Sequence, residues 1–148
     1  MKKMSTILTA VVLLFATSAF ATGGDNVTVK VKAVFTKKFT GAADVTWQQK
    51  SGFYFADFQL NGKTMKAAYD ESGELVGTSQ LVSKNQLPAA IASELAKNYA
   101  AYEVTGTITQ IDFEGKTAYY FSVESEKGIL NLKCSSDGNV DIESKTIK

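Results

Sequence analysis

The chain has 148 residues, with 16 basic and 15 acidic side chains, no histidine and a net charge of +1. A near-neutral chain without a basic run lacks the electrostatic footprint of nucleic-acid-binding proteins, so no nucleic-acid partner is expected. The missing histidine excludes Ser-His-Asp and Cys-His catalytic sites and removes the commonest zinc ligand. Hydrolase, phosphate-binding and dinucleotide-binding motifs are absent from the sequence as well. We therefore expect neither an enzyme nor a cofactor.

The N-terminus has the three parts of a cleavable export signal. Lys2 and Lys3 form a basic start, residues 7–16 are an apolar run, and Ala19 and Ala21 place small residues where signal peptidase cuts. The run is shorter than the ~20 residues of a membrane-spanning helix. No cysteine follows Ala21 to carry a lipid. The sequence predicts a signal peptide over residues 1–21 and a mature chain over 22–148 that keeps no membrane anchor. Loss of Lys2 and Lys3 leaves 14 basic against 15 acidic residues, a net charge of −1.

Cys134 is the only cysteine, so the mature chain cannot form an internal disulfide. It alternates with Leu130 and Leu132, which is typical of a strand with one buried face. We interpret Cys134 as a small buried hydrophobe, and the alternative is a reactive or intermolecular thiol.

The first half of the mature chain predicts a helix followed by strands. Val31, Phe35 and Phe39 recur every four residues, which indicates an amphipathic helix over residues 28–39, although the alternation of valines at its start also fits a strand. Strand patterns follow, with a tight-turn signal at Asn61-Gly62, over residues 45–48, 52–60, 63–69 and 75–81.

The second half repeats this order. Pro88 suits the start of a helix, and the four-residue stripe continues through Ile91, Leu95 and Tyr99. Strand patterns follow over residues 104–113, 116–124 and 129–134. The sequence thus predicts an α+β fold of two tandem α-β-β-β repeats, at about 28–82 and 86–144, within a single domain. One helix over three strands buries little alone, so we expect an antiparallel sheet with the helices packed on one face.

The aromatic residues indicate a candidate binding face. In the strand over residues 52–60, Phe53 and Phe55 point away from the predicted core face, and Tyr120 occupies the same opposite face in the second repeat. Exposed aromatic side chains often mark a binding surface, so Phe53, Phe55 and Tyr120, with Trp47 nearby, are the predicted site. The alternative is that another segment covers these rings.

Two acidic turns, at Asp70 and Asp137, are weaker candidates for a calcium or small-ligand site. Oxygen-rich loops can bind calcium, but here glycine stands at the fourth or second position instead of the sixth position of an EF-hand loop. Ordinary reverse turns are the simpler interpretation, and divalent-metal binding is the alternative.

The chain resembles a PepSY-like, β-lactamase-inhibitor-protein-like (BLIP-like) family of exported bacterial proteins. The resemblance spans nearly all of residues 30–140 and rests on an ordered series of motifs: Phe35-x3-Phe39-x5-Val45-x-Trp47, Gly52-x-Tyr54-x-Ala56-x-Phe58-x2-Asn61-Gly62, Ala68-Tyr69-Asp70-x2-Gly73-x-Leu75, and Leu87-Pro88-x2-Ile91 with Tyr99 and Tyr102. It departs from the family at Thr40, where a proline is common. The resemblance implies tandem helix-plus-sheet repeats, a periplasmic location in Bacteroides-type bacteria, no catalytic activity, and binding or inhibition of a protein or peptide through a sheet face.

Overall fold

The computed structural model describes residues 26–148. The predicted signal peptide and its cleavage site lie outside this range. Among the described residues, no helix has both the length and the apolar character that crossing a membrane requires.

The described residues form two α-helices, a short 3-10 helix at Lys84–Gln86, and eight β-strands. The elements in chain order are α1 (Val29–Lys38), β1 (Ala43–Lys50), β2 (Phe53–Leu60), β3 (Lys63–Asp70), β4 (Leu75–Val82), α2 (Ala89–Asn98), β5 (Glu103–Phe113), β6 (Lys116–Ser125), β7 (Gly128–Ser135) and β8 (Val140–Ile147). The predicted α+β class with tandem helix-plus-antiparallel-strand repeats is confirmed. Two compact units divide within β4, the first ending at Ser79 and the second spanning Gln80–Lys148.

Both predicted helices form. The α1 helix begins after Thr28, whose hydroxyl oxygen accepts a hydrogen bond from the Val31 amide at 3.3 Å, and it buries Val31 and Phe35. The strand alternative for the valines at its start is therefore wrong, because the capped helix buries one of them and leaves Val29 85 % exposed. In the second unit Pro88 immediately precedes α2, which buries Ile91.

In the first unit, β2 lies between β1 and β3 with antiparallel pairing on both sides. The tight turn joining β2 to β3 is formed by Asn61 and Gly62, which have φ values of 51° and 74°, as the sequence predicts. One face of these strands packs against α1. The core on this side contains eight buried residues: Val31, Phe35, Phe39, Tyr54, Ala56, Phe58, Ala67 and Tyr69.

In the second unit, β5, β6, β7 and β8 are paired antiparallel in chain order. The side facing α2 holds a second core of Leu87, Ile91, Ile108, Tyr119, Phe121, Val123, Leu130, Leu132 and Cys134. Cys134 is fully buried, and burial raises the pKa of its thiol to about 11. The interpretation of Cys134 as a core residue is confirmed.

The main difference from the predicted repeats is the number of strands after the second helix. The second unit ends in a fourth strand, β8, whose side chains are nearly all exposed, and such a strand lacks the alternation that signals burial. Both β1 and β8 contain a bulge, where the register shifts around Asp44 in β1 and around Glu143 in β8.

The turn after the third strand packs on the start of the helix in the same way in both units. A Cβ atom added at Gly73 would meet the Lys30 side chain at 3.4 Å, and one added at Gly138 would meet the Ala90 carbonyl oxygen at 3.0 Å. Lys30 and Ala90 are the second residues of α1 and α2. In both repeats the turn glycine therefore lies against the second residue of the helix, so residues at equivalent positions of the two units can be compared.

Candidate functional site

The four residues of the predicted binding face do not form one surface. Phe55 points away from α1, as alternation requires, but it is only 2 % exposed. Its neighbours in register are Gln48 on β1 and Ala68 on β3, and Ala68 is fully buried. The prediction that Phe55 is exposed is wrong: its side chain faces away from the helix but is covered, as is that of its neighbour Ala68.

Trp47 lies on the other side of the sheet from Phe55. It is paired with Ala56, a residue of the first core, and its ring contacts the Phe35 ring edge-on at 5.1 Å between centroids. Trp47 therefore packs under α1 as a half-buried residue at the edge of the first core. The prediction that it belongs to the binding face is wrong. The register with β2, which decides its direction, is not a local property of the sequence.

Phe53 remains half-buried on the face opposite α1, beside a polar network. The Lys66 ammonium lies 3.1 Å from Asp57, whose carboxylate also accepts a long hydrogen bond of 3.5 Å from the Gln48 amide nitrogen. The side-chain oxygen of Gln48 is buried and has no hydrogen-bond partner. This face of the first unit is thus a mixture of one aromatic ring and polar groups that contact each other.

Tyr120 provides the aromatic group on the face of the second unit that points away from α2. Its ring is half-buried, and the Lys133 ammonium, from the residue paired with it on β7, lies 5.9 Å from the ring centroid. Burial raises the pKa of the Tyr120 phenol, and the positive charge of Lys133 opposes that rise. Tyr120 is therefore neutral at physiological pH and available as a hydrogen-bond donor.

Next to Tyr120, three polar side chains form a row across β6, β7 and β8. The Ser122 hydroxyl donates to the Asn131 side-chain oxygen at 2.5 Å, and the Asn131 amide donates to the Ser144 hydroxyl at 2.7 Å. Asn131 and Ser144 are exposed, and Ser122 is half-buried. This row was not predicted from the sequence; its signal was that Ser122, Asn131 and Lys133 are polar residues at positions that alternate with the core positions of β6 and β7.

The acidic turns use their carboxylates locally. One oxygen of Asp70 accepts from the Ser72 amide and hydroxyl and from the Glu74 amide at 2.6–3.0 Å, and Asp137 accepts from the Ser135 hydroxyl and the Asn139 amide. These hydrogen bonds, led by the serine hydroxyl in each turn, lower the pKa of both carboxyls. Within residues 26–148, no three His, Cys, Asp or Glu side chains gather as a metal site. The geometry matches reverse turns and offers no support for calcium binding.

Solved structures of similar fold come from Bacteroides. A BLIP-like protein of Bacteroides fragilis superposes with a TM-score of 0.71 at 21 % identity, over 86 % of this chain and 92 % of that chain. The chain has a BLIP-like fold. A DUF2874 family protein of Bacteroides ovatus shares this BLIP-like fold at 23 % identity and a TM-score of 0.69, over 84 % and 89 % of the two chains. A protein of Bacteroides eggerthii described as periplasmic has the same fold, at 19 % identity and a TM-score of 0.69, over 83 % of this chain and 90 % of that chain. No protein-family model and no curated protein matches the chain. The predicted resemblance to BLIP-like proteins is thereby confirmed for the fold.

Proposed function

We propose that the protein is an exported, periplasmic, non-catalytic module that binds a protein or peptide through the face of the second unit around Tyr120. The observation that carries this proposal is the combination of a half-buried aromatic ring with a hydrogen-bonding row on one sheet face. Tyrosine is enriched among residues that dominate binding energy, since it supplies apolar area and a polar group with little loss of side-chain entropy.

The surroundings of Tyr120 favour a polar, peptide-like partner over an apolar one. The Lys133 ammonium lies over the ring, 5.9 Å from its centroid, and Ser122, Asn131 and Ser144 leave donor and acceptor capacity at the surface. A partner that covers Tyr120 can therefore satisfy its own amide and carbonyl groups on the row beside it. The BLIP-like fold of the similar structures supports an inhibitory or regulatory role by analogy of fold.

The export step and the absence of catalysis rest on separate support. The signal-like N-terminus predicts export, and the similar protein of Bacteroides eggerthii is described as periplasmic. The chain lacks histidine, and the carboxylates of Asp70 and Asp137 are hydrogen-bonded within their own turns. A binding module needs neither a nucleophile nor a general base.

The test uses the processed protein as bait in periplasmic extract of the source organism, followed by calorimetry with the captured partner. We expect Tyr120→Ala to weaken binding at least about 30-fold, the effect of a residue that contributes about 2 kcal/mol. Ile142→Ala is the matched control, because Ile142 is 54 % exposed in the same unit but is paired with the core residue Leu132. Equal affinity of the partner for the wild type and for Tyr120→Ala would exclude the face around Tyr120 as the binding site. Loss of the partner in the Ile142→Ala variant would place the binding site on the helix side of the second unit.

A further inference from the structure

The lysines of the first unit are concentrated on the side that carries α1. The described part of this unit, residues 26–79, contains seven lysines: Lys30, Lys32, Lys37, Lys38, Lys50, Lys63 and Lys66. Four belong to α1, and Lys63 is paired with Leu60, which packs against the first core under the helix. Lys50 and Lys66, paired with Phe53 and Asp57, face the other side.

The carboxylates of this unit are distributed differently. None of the paired positions of β1, β2 and β3 that face α1 is acidic, and α1 itself contains no acidic residue. Asp57 and Asp70 lie on the opposite face, and Asp57 forms its ion pair there with Lys66. The turn that packs on Lys30 carries Glu71 and Glu74, and the exposed Asp44 follows the helix at its other end, so the acidic residues flank α1 while the helix itself carries only positive charge.

The equivalent helix shows that these charges are not needed to build the unit. The α2 helix packs on its own three strands with one lysine and one glutamate, and it has Ala90, Ala92 and Asn98 where α1 has Lys30, Lys32 and Lys38. Lys37 and Lys38 are favourable at a helix C-terminus, but Lys30 is the second helical residue, where a positive charge opposes the helix dipole. Helix stability accounts for Lys37 and Lys38 but not for Lys30 and Lys32, and this additional positive charge indicates a function for the surface.

From this arrangement we infer that the α1 side of the first unit adsorbs to an anionic lipid surface. The lysines are spread along a ten-residue helix about 15 Å long, a spacing that matches an array of headgroups and does not converge on a single acid group. All the basic residues of the chain are lysines, and lysine acts as a flexible point charge, whereas arginine is preferred for paired recognition of single carboxylates or phosphates. Val29, 85 % exposed beside Lys30, adds an apolar contact at the N-terminal end of α1.

This surface is independent of the proposed binding face, which lies in the second unit. Adsorption through lysines is reversible and depends on salt, because surface charges farther apart than about 10 Å are screened at 0.1 M salt. It differs from anchoring by a transmembrane helix or a lipid, and it is compatible with a net charge of the mature chain near zero. Adsorption depends on the concentration of lysines on one side of the first unit and not on the total charge of the chain.

The experiment measures sedimentation of the processed protein, with its N-terminus verified by mass spectrometry, with vesicles of phosphatidylcholine containing about 30 % phosphatidylglycerol. We expect binding at low salt, none to pure phosphatidylcholine, and release at about 0.5 M salt. The triple variant Lys30→Gln, Lys37→Gln, Lys38→Gln should lower the partition coefficient at least tenfold, since each lysine near an anionic surface contributes measurably. Because these side chains are exposed, the variant should keep the wild-type circular dichroism spectrum.

A matched control separates position from total charge. The variant Lys97→Gln, Lys116→Gln, Lys127→Gln removes the same number of exposed lysines from the second unit and should bind the vesicles like the wild type. Equal loss of binding in both triple variants would show an effect of net charge alone and overturn the inference. Binding to polyglutamate but not to anionic vesicles would overturn it as well, by assigning the surface to an acidic protein.

Discussion

In both units a helix packs on antiparallel strands, but residues at equivalent positions on the opposite face differ in burial. Phe55 and Tyr120 occupy equivalent places, next to Tyr54 and Tyr119 of the two cores, yet Phe55 is 2 % exposed whereas Tyr120 is half-buried beside Lys133. On the helix side, both units bury an apolar stripe of the helix against alternate strand residues. The two units are therefore alike on the side packed against the helix and differ on the opposite side.

The acidic turns at Asp70 and Asp137 have the same geometry although two of their residues are exchanged in position. In the first unit Asp70 comes first and Ser72 third, and in the second unit Ser135 comes first and Asp137 third, but in both the serine hydroxyl donates to the aspartate carboxylate. The flanking backbone bonds are also equivalent, since Asp70 donates to Glu74 and Ser135 donates to Asn139, both at 3.0 Å. The turn geometry is therefore kept while the two residues are exchanged.

The largest expected effect contrasts the equivalent residues Phe55 and Tyr120. Phe55→Ala removes a buried ring and should lower the free energy of unfolding by about 3–5 kcal/mol. Tyr120→Ala removes a half-buried ring and should lower it by about 1 kcal/mol. Urea unfolding followed by circular dichroism measures both. Similar losses in the two variants would show that the two faces are covered alike.

The next effect concerns the glycines of the equivalent turns. Gly138 and Gly73 have φ values of 95° and 89°, so alanine is strained at either position by about 1–2 kcal/mol. An added Cβ meets backbone and Cβ atoms of Ala90 at 3.0–3.2 Å in the second unit, but only the flexible Lys30 side chain in the first. We expect Gly138→Ala to be the more destabilising variant in thermal unfolding. The reverse order would show that the α2 helix yields more readily than a lysine side chain.

The smallest effect is a gain of stability at Tyr69. Its hydroxyl is buried without a hydrogen-bond partner, so Tyr69→Phe should stabilise the protein by about 1 kcal/mol. Burial raises the pKa of Tyr69 from 10.0 to about 12. The stability linked to its neutral form is complete below pH 10 and is lost as the pH rises toward about 12, and the variant should lack this part of the alkaline loss. Tyr54→Phe, in the paired position on β2, is the control, and a destabilised Tyr69→Phe would reveal a partner of the hydroxyl.

The sequence predicted features that depend on neighbours along the chain. Four-residue spacing located α1 and α2, and Asn61-Gly62 located a hairpin. Alternation assigned Phe55 and Tyr120 to the correct faces. It could not predict that Phe55 is covered, nor the direction of Trp47, because both depend on strand register and on contacts distant in the sequence. The β8 strand was missed because its exposed residues carry no alternating pattern. The positive side of the first unit could not be predicted from composition, because the numbers of basic and acidic residues in the chain are nearly equal.

The bulges in β1 and β8 have a consequence for how the protein behaves in a crowded compartment. Among residues 26–148 each of these strands is paired with a neighbour on one side only, and an unpaired strand side is a template for a second chain. Asp44 in β1 has a φ of 53°, and Glu143 stands unpaired where Ile142 and Ser144 keep their partners on β7. Both strands thus interrupt their regular row of amide and carbonyl groups at a carboxylate, and bulges and charges on a strand discourage its pairing with a second chain.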